Sequence, residues 1–66
     1  MNKWYGYVHE NKTFHVKRFF GDYGDILEVH GSPFVIFATE PFSAKNRENA
    51  LKILKQQWQD LFIDNI

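Results

Sequence analysis

Residues 4–20, WYGYVHENKTFHVKRFF, hold two runs rich in aromatic and β-branched side chains with Glu10-Asn11-Lys12 between them. Such runs favour extended backbone, and Asn11 tolerates the positive φ of a tight turn. The stretch therefore predicts a β-hairpin with strands over 3–9 and 13–19. A two-residue loop at Asn11-Lys12 would set Tyr7 opposite Val16, Gly6 opposite Lys17 and Trp4 opposite Phe19. Side chains alternate along a strand, so this register sorts them into two faces. One would collect Tyr5, Tyr7, Phe14 and Val16, and the other Trp4, Val8, His15, Lys17 and Phe19 beside the bare backbone of Gly6. Large aromatic groups thus stand on both phases, and the fold depends on which phase is core.

Downstream, FGDYGDILEVHGSP (20–33) abandons the two-residue period. Asp25 is a candidate N-cap, Gly31 a candidate left-handed helix end and Pro33 a stop, which predicts one or two helical turns over 25–30. FVIFAT (34–39), bounded by Pro33 and Pro41, reads as a third strand that is apolar on both faces. From Ser43, read as an N-cap with Phe42 as the start of a hydrophobic staple, the spacing changes to three and four. Ala50, Leu51, Leu54, Trp58, Leu61 and Phe62 form one stripe, with Ile53 beside it. Asp64-Asn65-Ile66 is expected to fray. The order β-β-α-β-α predicts an α+β domain over 1–66, a three-stranded antiparallel sheet packed against one long C-terminal helix, with the short helix between strands two and three.

A chain of 66 residues supports one hydrophobic core, and one this small buries only about 60% of its unfolded surface. It has no cysteine, so neither a disulfide nor a zinc-thiolate site supplies stability, which suits a reducing cytoplasm. Twelve aromatic residues, 18% of the chain, offer the main compensation. The long helix covers one sheet face, and with the pairing above it best matches Tyr5, Tyr7, Phe14 and Val16. The other phase exceeds what a short helix can shield, so Trp4, Val8, His15, Lys17 and Phe19 become the candidate partner-binding residues.

Specific chemistries find little footing. His9 and His15 flank the turn, but this register puts them on opposite faces with no third metal ligand. His30 suits a helix C-terminus, Ser32 and Ser43 have turn or capping roles, and GDYGD lacks the pattern of a phosphate loop. No catalytic residue and no cofactor is expected. Lys and Arg number 8 against 8 Asp and Glu, and no apolar run approaches the length of a membrane span. The chain reads as soluble, unexported and complete.

Three strands backed by one helix resemble the arm-binding amino-terminal domains of some integrases in layout, which implies a sheet face laid into a nucleic-acid groove. Lys3, His15, Lys17 and Arg18 among aromatic residues fit that role, whereas zero formal charge weighs against it. The same residues suit a protein partner, since interface cores favour aromatic groups and disfavour excess charge. The reading from sequence is a non-catalytic interaction protein of phage or bacterial accessory type, acting as a homodimer or on an unknown protein partner. A nucleic-acid-binding hairpin face is the alternative.

Overall fold

The computed structural model describes residues 2–63, with the side chains of 2–61. It contains β1 (Asn2–His9), β2 (Phe14–Arg18), α1 (Tyr23–Gly31), β3 (Val35–Ala38), β4 (Phe42–Ala44) and α2 (Arg47–Ile63). The α+β architecture matches the expectation, with an antiparallel sheet against a long C-terminal helix. The sheet has four strands rather than three. The expected fraying at 64–66, and the place of Phe62 in the apolar stripe, lie outside the described residues.

The hairpin forms, but with a different turn. The His9 amide donates to the Thr13 carbonyl at 2.9 Å and the Lys12 amide to the His9 carbonyl at 2.8 Å, which closes a loop of Glu10, Asn11 and Lys12. Lys12, rather than Asn11, takes the left-handed conformation, at φ 69°. Asn11 serves through its side chain instead, with Oδ1 accepting from the Thr13 amide at 3.2 Å and from its hydroxyl at 2.6 Å. The extra loop residue moves the register by one, so Tyr5 faces Lys17, Gly6 faces Val16 and Val8 faces Phe14. Because the side-chain period is two, that slip turns all of β2 over.

The expected faces are corrected accordingly. Trp4 and Val8 join Phe14 and Val16 on one side, while Tyr5, Tyr7, His9, His15, Lys17 and Phe19 share the other. Helix α2 packs on the first side, where Trp4, Val8, Val16, Ala44, Ala50 and Leu54 form the buried core, flanked by Phe14, Phe37, Phe42 and Trp58. Trp58 meets the rings of Phe14 at 6.4 Å and Phe37 at 5.7 Å, and the Lys12 ammonium lies 5.6 Å from its centroid. The end of α2 is thereby pinned beside the hairpin turn.

β3 and β4 run along the same edge of β1 as one interrupted strand. Tyr7 pairs with Ala38 and Trp4 with Phe42, so a step of three residues on β1 matches a step of four on its neighbour. The extra residue falls at Glu40-Pro41, where proline has no amide to give to the ladder. Thr39 bridges the gap: its amide donates to the Gly6 carbonyl and its hydroxyl accepts from the Gly6 amide, both at 2.9 Å. Ser43 therefore belongs to a strand, not to a cap. The N-cap of α2 is Asn46, whose Oδ1 accepts from the Asn49 amide at 2.8 Å. The cap of α1 is likewise earlier than expected, at Asp22 rather than Asp25, and the helix runs for 9 residues up to Ser32. Gly31 closes it without entering the left-handed region.

Gly6 lies where α2 crosses β1. A Cβ there would stand 3.0 and 3.1 Å from the two Leu54 methyl groups and 3.3 Å from the His15 carbonyl oxygen. Overpacking of this kind costs about 1–3 kcal/mol, so Gly6→Ala is expected to destabilise the chain by that amount in urea unfolding. Leu54→Val alone should cost about 1 kcal/mol. In that background Gly6→Ala should cost little, because the methyl groups it strikes have moved away. Simple additivity of the two losses would contradict the crossing.

Candidate binding surface

The turned-over β2 separates the five residues expected to bind a partner. Trp4 is 8% exposed and Val8 fully enclosed, both beneath α2. His15, Lys17 and Phe19 stand on the opposite side. Phe19 is partly covered there, edge-on to Tyr5 at 6.4 Å and to Tyr23 at 5.1 Å. The surplus of apolar side chains inferred from the sequence does exist, but elsewhere.

That surplus lies on α1 and its approaches. The helix buries Ile26, places Val29 at the sheet and sets its His30 ring 3.4 Å from the Thr39 carbonyl oxygen. Its outer side carries Tyr23 and Leu27, 59% and 72% exposed, and Phe20 just before it is 80% exposed. The spacing of four puts Tyr23 and Leu27 on one side of α1, whereas Phe20 precedes its cap at Asp22. The Arg18 guanidinium lies between two rings, 5.2 Å from Phe20 and 5.6 Å from Trp4. Phe34 and Ile36 are further exposed apolar groups, and Ile36 falls where the pairing of β1 with β3 shifts register.

Between α1 and the sheet lies an open cleft of about 290 Å³. Tyr5, Tyr7 and His9 of β1 and Lys17 of β2 line it from the sheet. Asp25, Glu28 and Val29 line it from the helix, and Ser32, Phe34 and Val35 close one end. His15 stacks on Tyr7 at 5.0 Å, and His9 lies parallel to Phe34 at 6.1 Å. His9 and His15 are 6.5 Å apart on the same face, which corrects the expectation that they stand on opposite ones. No group of three metal-binding side chains occurs among the described residues. His15 Nε2 lies 2.8 Å from the Thr13 hydroxyl, which already donates to Asn11, so the imidazole is the donor of that pair.

Tyr5 carries the one distinct electrostatic signal in the cleft. The residue is 5% exposed and lines the cleft. Burial pushes the phenol above its ordinary value of 10, with Asp25, Tyr7 and Glu28 adding to the rise. Nothing in the surface before α1 announced this. The signal available in sequence was DYGDILE, in which Tyr23, Ile26 and Leu27 cannot all face inward from so short a helix while Asp25 and Glu28 fall together.

The sign of the Tyr5 shift fixes a pH dependence. Below pH 10 the phenol is neutral in both folded and unfolded chains, so its contribution is intact. As pH rises past 10 the unfolded chain loses the proton first, and stability falls until the folded phenol ionises as well. Tyr5→Phe should therefore flatten the alkaline limb of a stability profile relative to the parent chain. An unchanged limb would show that Tyr5 is not held in its neutral form. No described helix is long and apolar enough to cross a membrane. Compared with protein-family models, curated proteins and solved structures, the chain matches none.

Proposed function

We propose that this chain is a non-catalytic protein-interaction domain of a reducing cytoplasm, and that it self-associates through the outer side of α1. The observation that carries this reading is the pair Tyr23 and Leu27, large apolar side chains exposed four residues apart on α1, with the exposed Phe20 and the Arg18 guanidinium over its ring just before the helix. Interface centres are rich in aromatic groups and arginine and poor in other charges. Full burial of such a side chain contributes about 1.5–3 kcal/mol, and a symmetric pair would bury six, enough to offset an association cost of about 4–15 kcal/mol. A stable pairing commonly covers about 800 Å² on each partner, roughly a sixth of the 4647 Å² surface of this chain. A two-fold arrangement is the commonest closed solution.

A nucleic-acid role has less support. Phosphate binding needs clustered cations, but Asp25 and Glu28 line the same cleft as Lys17, and the chain as a whole is neutral.

Light scattering across micromolar to millimolar protein tests the proposal. The parent chain should have the mass of a dimer, and Leu27→Glu or Tyr23→Glu should return it to a monomer with unchanged circular dichroism. Trp4→Glu, by contrast, should unfold the chain, because that ring belongs to the core. A monomeric parent at every concentration, or a dimer indifferent to Leu27→Glu, would overturn it.

A further inference from the structure

The chain is neutral, but its charges are sorted. All 8 Lys and Arg lie outside residues 19–44, whereas Asp22, Asp25, Glu28 and Glu40 lie within them. The segment that holds α1, β3 and β4 is therefore acidic, and the cations belong to the hairpin and to α2 with its approach. Three of them rest on aromatic rings on the side of the sheet that α2 covers. Lys12 Nζ is 5.6 Å from the centroid of Trp58, Lys55 Nζ 5.7 Å from that of Phe14 and Arg18 Cζ 5.6 Å from that of Trp4. Lys52 stands three residues before Lys55 and shares its side of α2. All four are exposed, and among the described residues none is in an ion pair.

We propose that the row of Lys12, Lys55, Lys52 and Arg18 docks a short acidic segment of another protein. Phe14 and Arg18 are four residues apart on β2, so the row runs for about 13 Å along that strand, with Lys12 beyond its Phe14 end. A cation held against a ring is already partly ordered, so less side-chain freedom is lost when a carboxylate arrives. An isolated exposed ion pair contributes little, and the affinity therefore depends on several carboxylates engaging the row at once. The row is also bounded. Helix α2 starts just after β4, which pairs with β1 at Trp4, and passes Trp58 beside Lys12. Glu48 thus stands at the Arg18 end and Asp60 at the Lys12 end, with Glu10 in the same turn as Lys12. A nucleic-acid backbone continuing in either direction would meet these carboxylates, whereas a short acidic segment ends before them. The row lies across the sheet from Tyr23 and Leu27, so docking here does not depend on self-association through α1.

The test is a titration of the full chain followed by amide NMR shifts at about 0.1 M salt, where attraction between distant exposed charges is largely screened. The probes are blocked hexaglutamate, blocked hexalysine and hexathymidylate. Hexaglutamate should give saturable shifts centred on Lys12, Phe14, Arg18, Lys52 and Lys55, and hexalysine should not. Lys52→Gln with Lys55→Gln should weaken binding about tenfold while circular dichroism is unchanged. Arg18→Gln should weaken it severalfold. Lys17→Gln, on the same strand but facing α1, should leave it unchanged, which separates the row from positive charge in general. Tighter binding of hexathymidylate would assign the row to nucleic acid and overturn the proposal. Absence of saturation, indifference to the double substitution, or an equal loss from Lys17→Gln would overturn it as well. Leu27→Glu reads self-association and should not alter hexaglutamate binding, so failure of one proposal is distinguishable from failure of the other.

Discussion

The Glu10-Asn11-Lys12 turn constrains everything else in this chain. Strands with apolar groups on both phases have no internal preference for a register, because either phase could serve as core. The choice passes to the turn, and a three-residue loop closed by Lys12 in the left-handed region makes it. A lysine there forgoes the conformational ease of glycine or asparagine, at a cost of about 1–2 kcal/mol. Its ammonium is placed over Trp58 in return, so the turn is tied to the far end of α2. Local strain and a long-range contact are thus joined at a single residue.

From that register follows the position of α2. Gly6 opposite Val16 leaves a bare patch of backbone in the middle of β1, and Leu54 fills it. Thr39 closes the same spot from the edge with two hydrogen bonds to Gly6. Helix, central strand and edge strand therefore meet at one glycine. The core built around it is small, and one cost is visible: the Trp4 indole N–H is buried with no partner, a loss of about 1–3 kcal/mol where such a group goes unpaired. With α2 committed to the Trp4 side, only α1 remains for the other. It covers that face in part, leaving a cleft below and an apolar ridge above.

The elements themselves were readable from residue patterns. The aromatic runs gave the hairpin, the three-and-four spacing from Ala50 gave α2, and Asp-rich capping before an apolar group gave α1. What sequence did not settle was which phase of β1 shares a face with Phe14 and Val16, and the reason is physical: β2 alternates apolar and polar over 14–17, but Trp4, Tyr5, Tyr7 and Val8 put large apolar groups on both phases of β1. The fourth strand was hidden because Pro41 marks a bulge as readily as an end, and Asn46 and Ser43 are equally good caps. Misplacing β2 by one residue was enough to assign Trp4 and Val8 to a contact surface. The general inference, that this chain holds more apolar surface than it can cover, survives in a different place. Phe20, Tyr23 and Leu27 carry it, and the acidic cleft beside them arises only when α1 lies across the sheet.

The functional account rests on that arrangement: if β2 faced the other way, the core, the cleft and the exposed ridge would all be different. Contacts between α protons across the hairpin, read from NOE spectra, test it most directly, because non-hydrogen-bonded antiparallel pairs bring those protons closest. The account expects strong contacts for Val8 with Phe14, Gly6 with Val16 and Trp4 with Arg18. Contacts of Val8 with His15 and Gly6 with Lys17 in their place would contradict it.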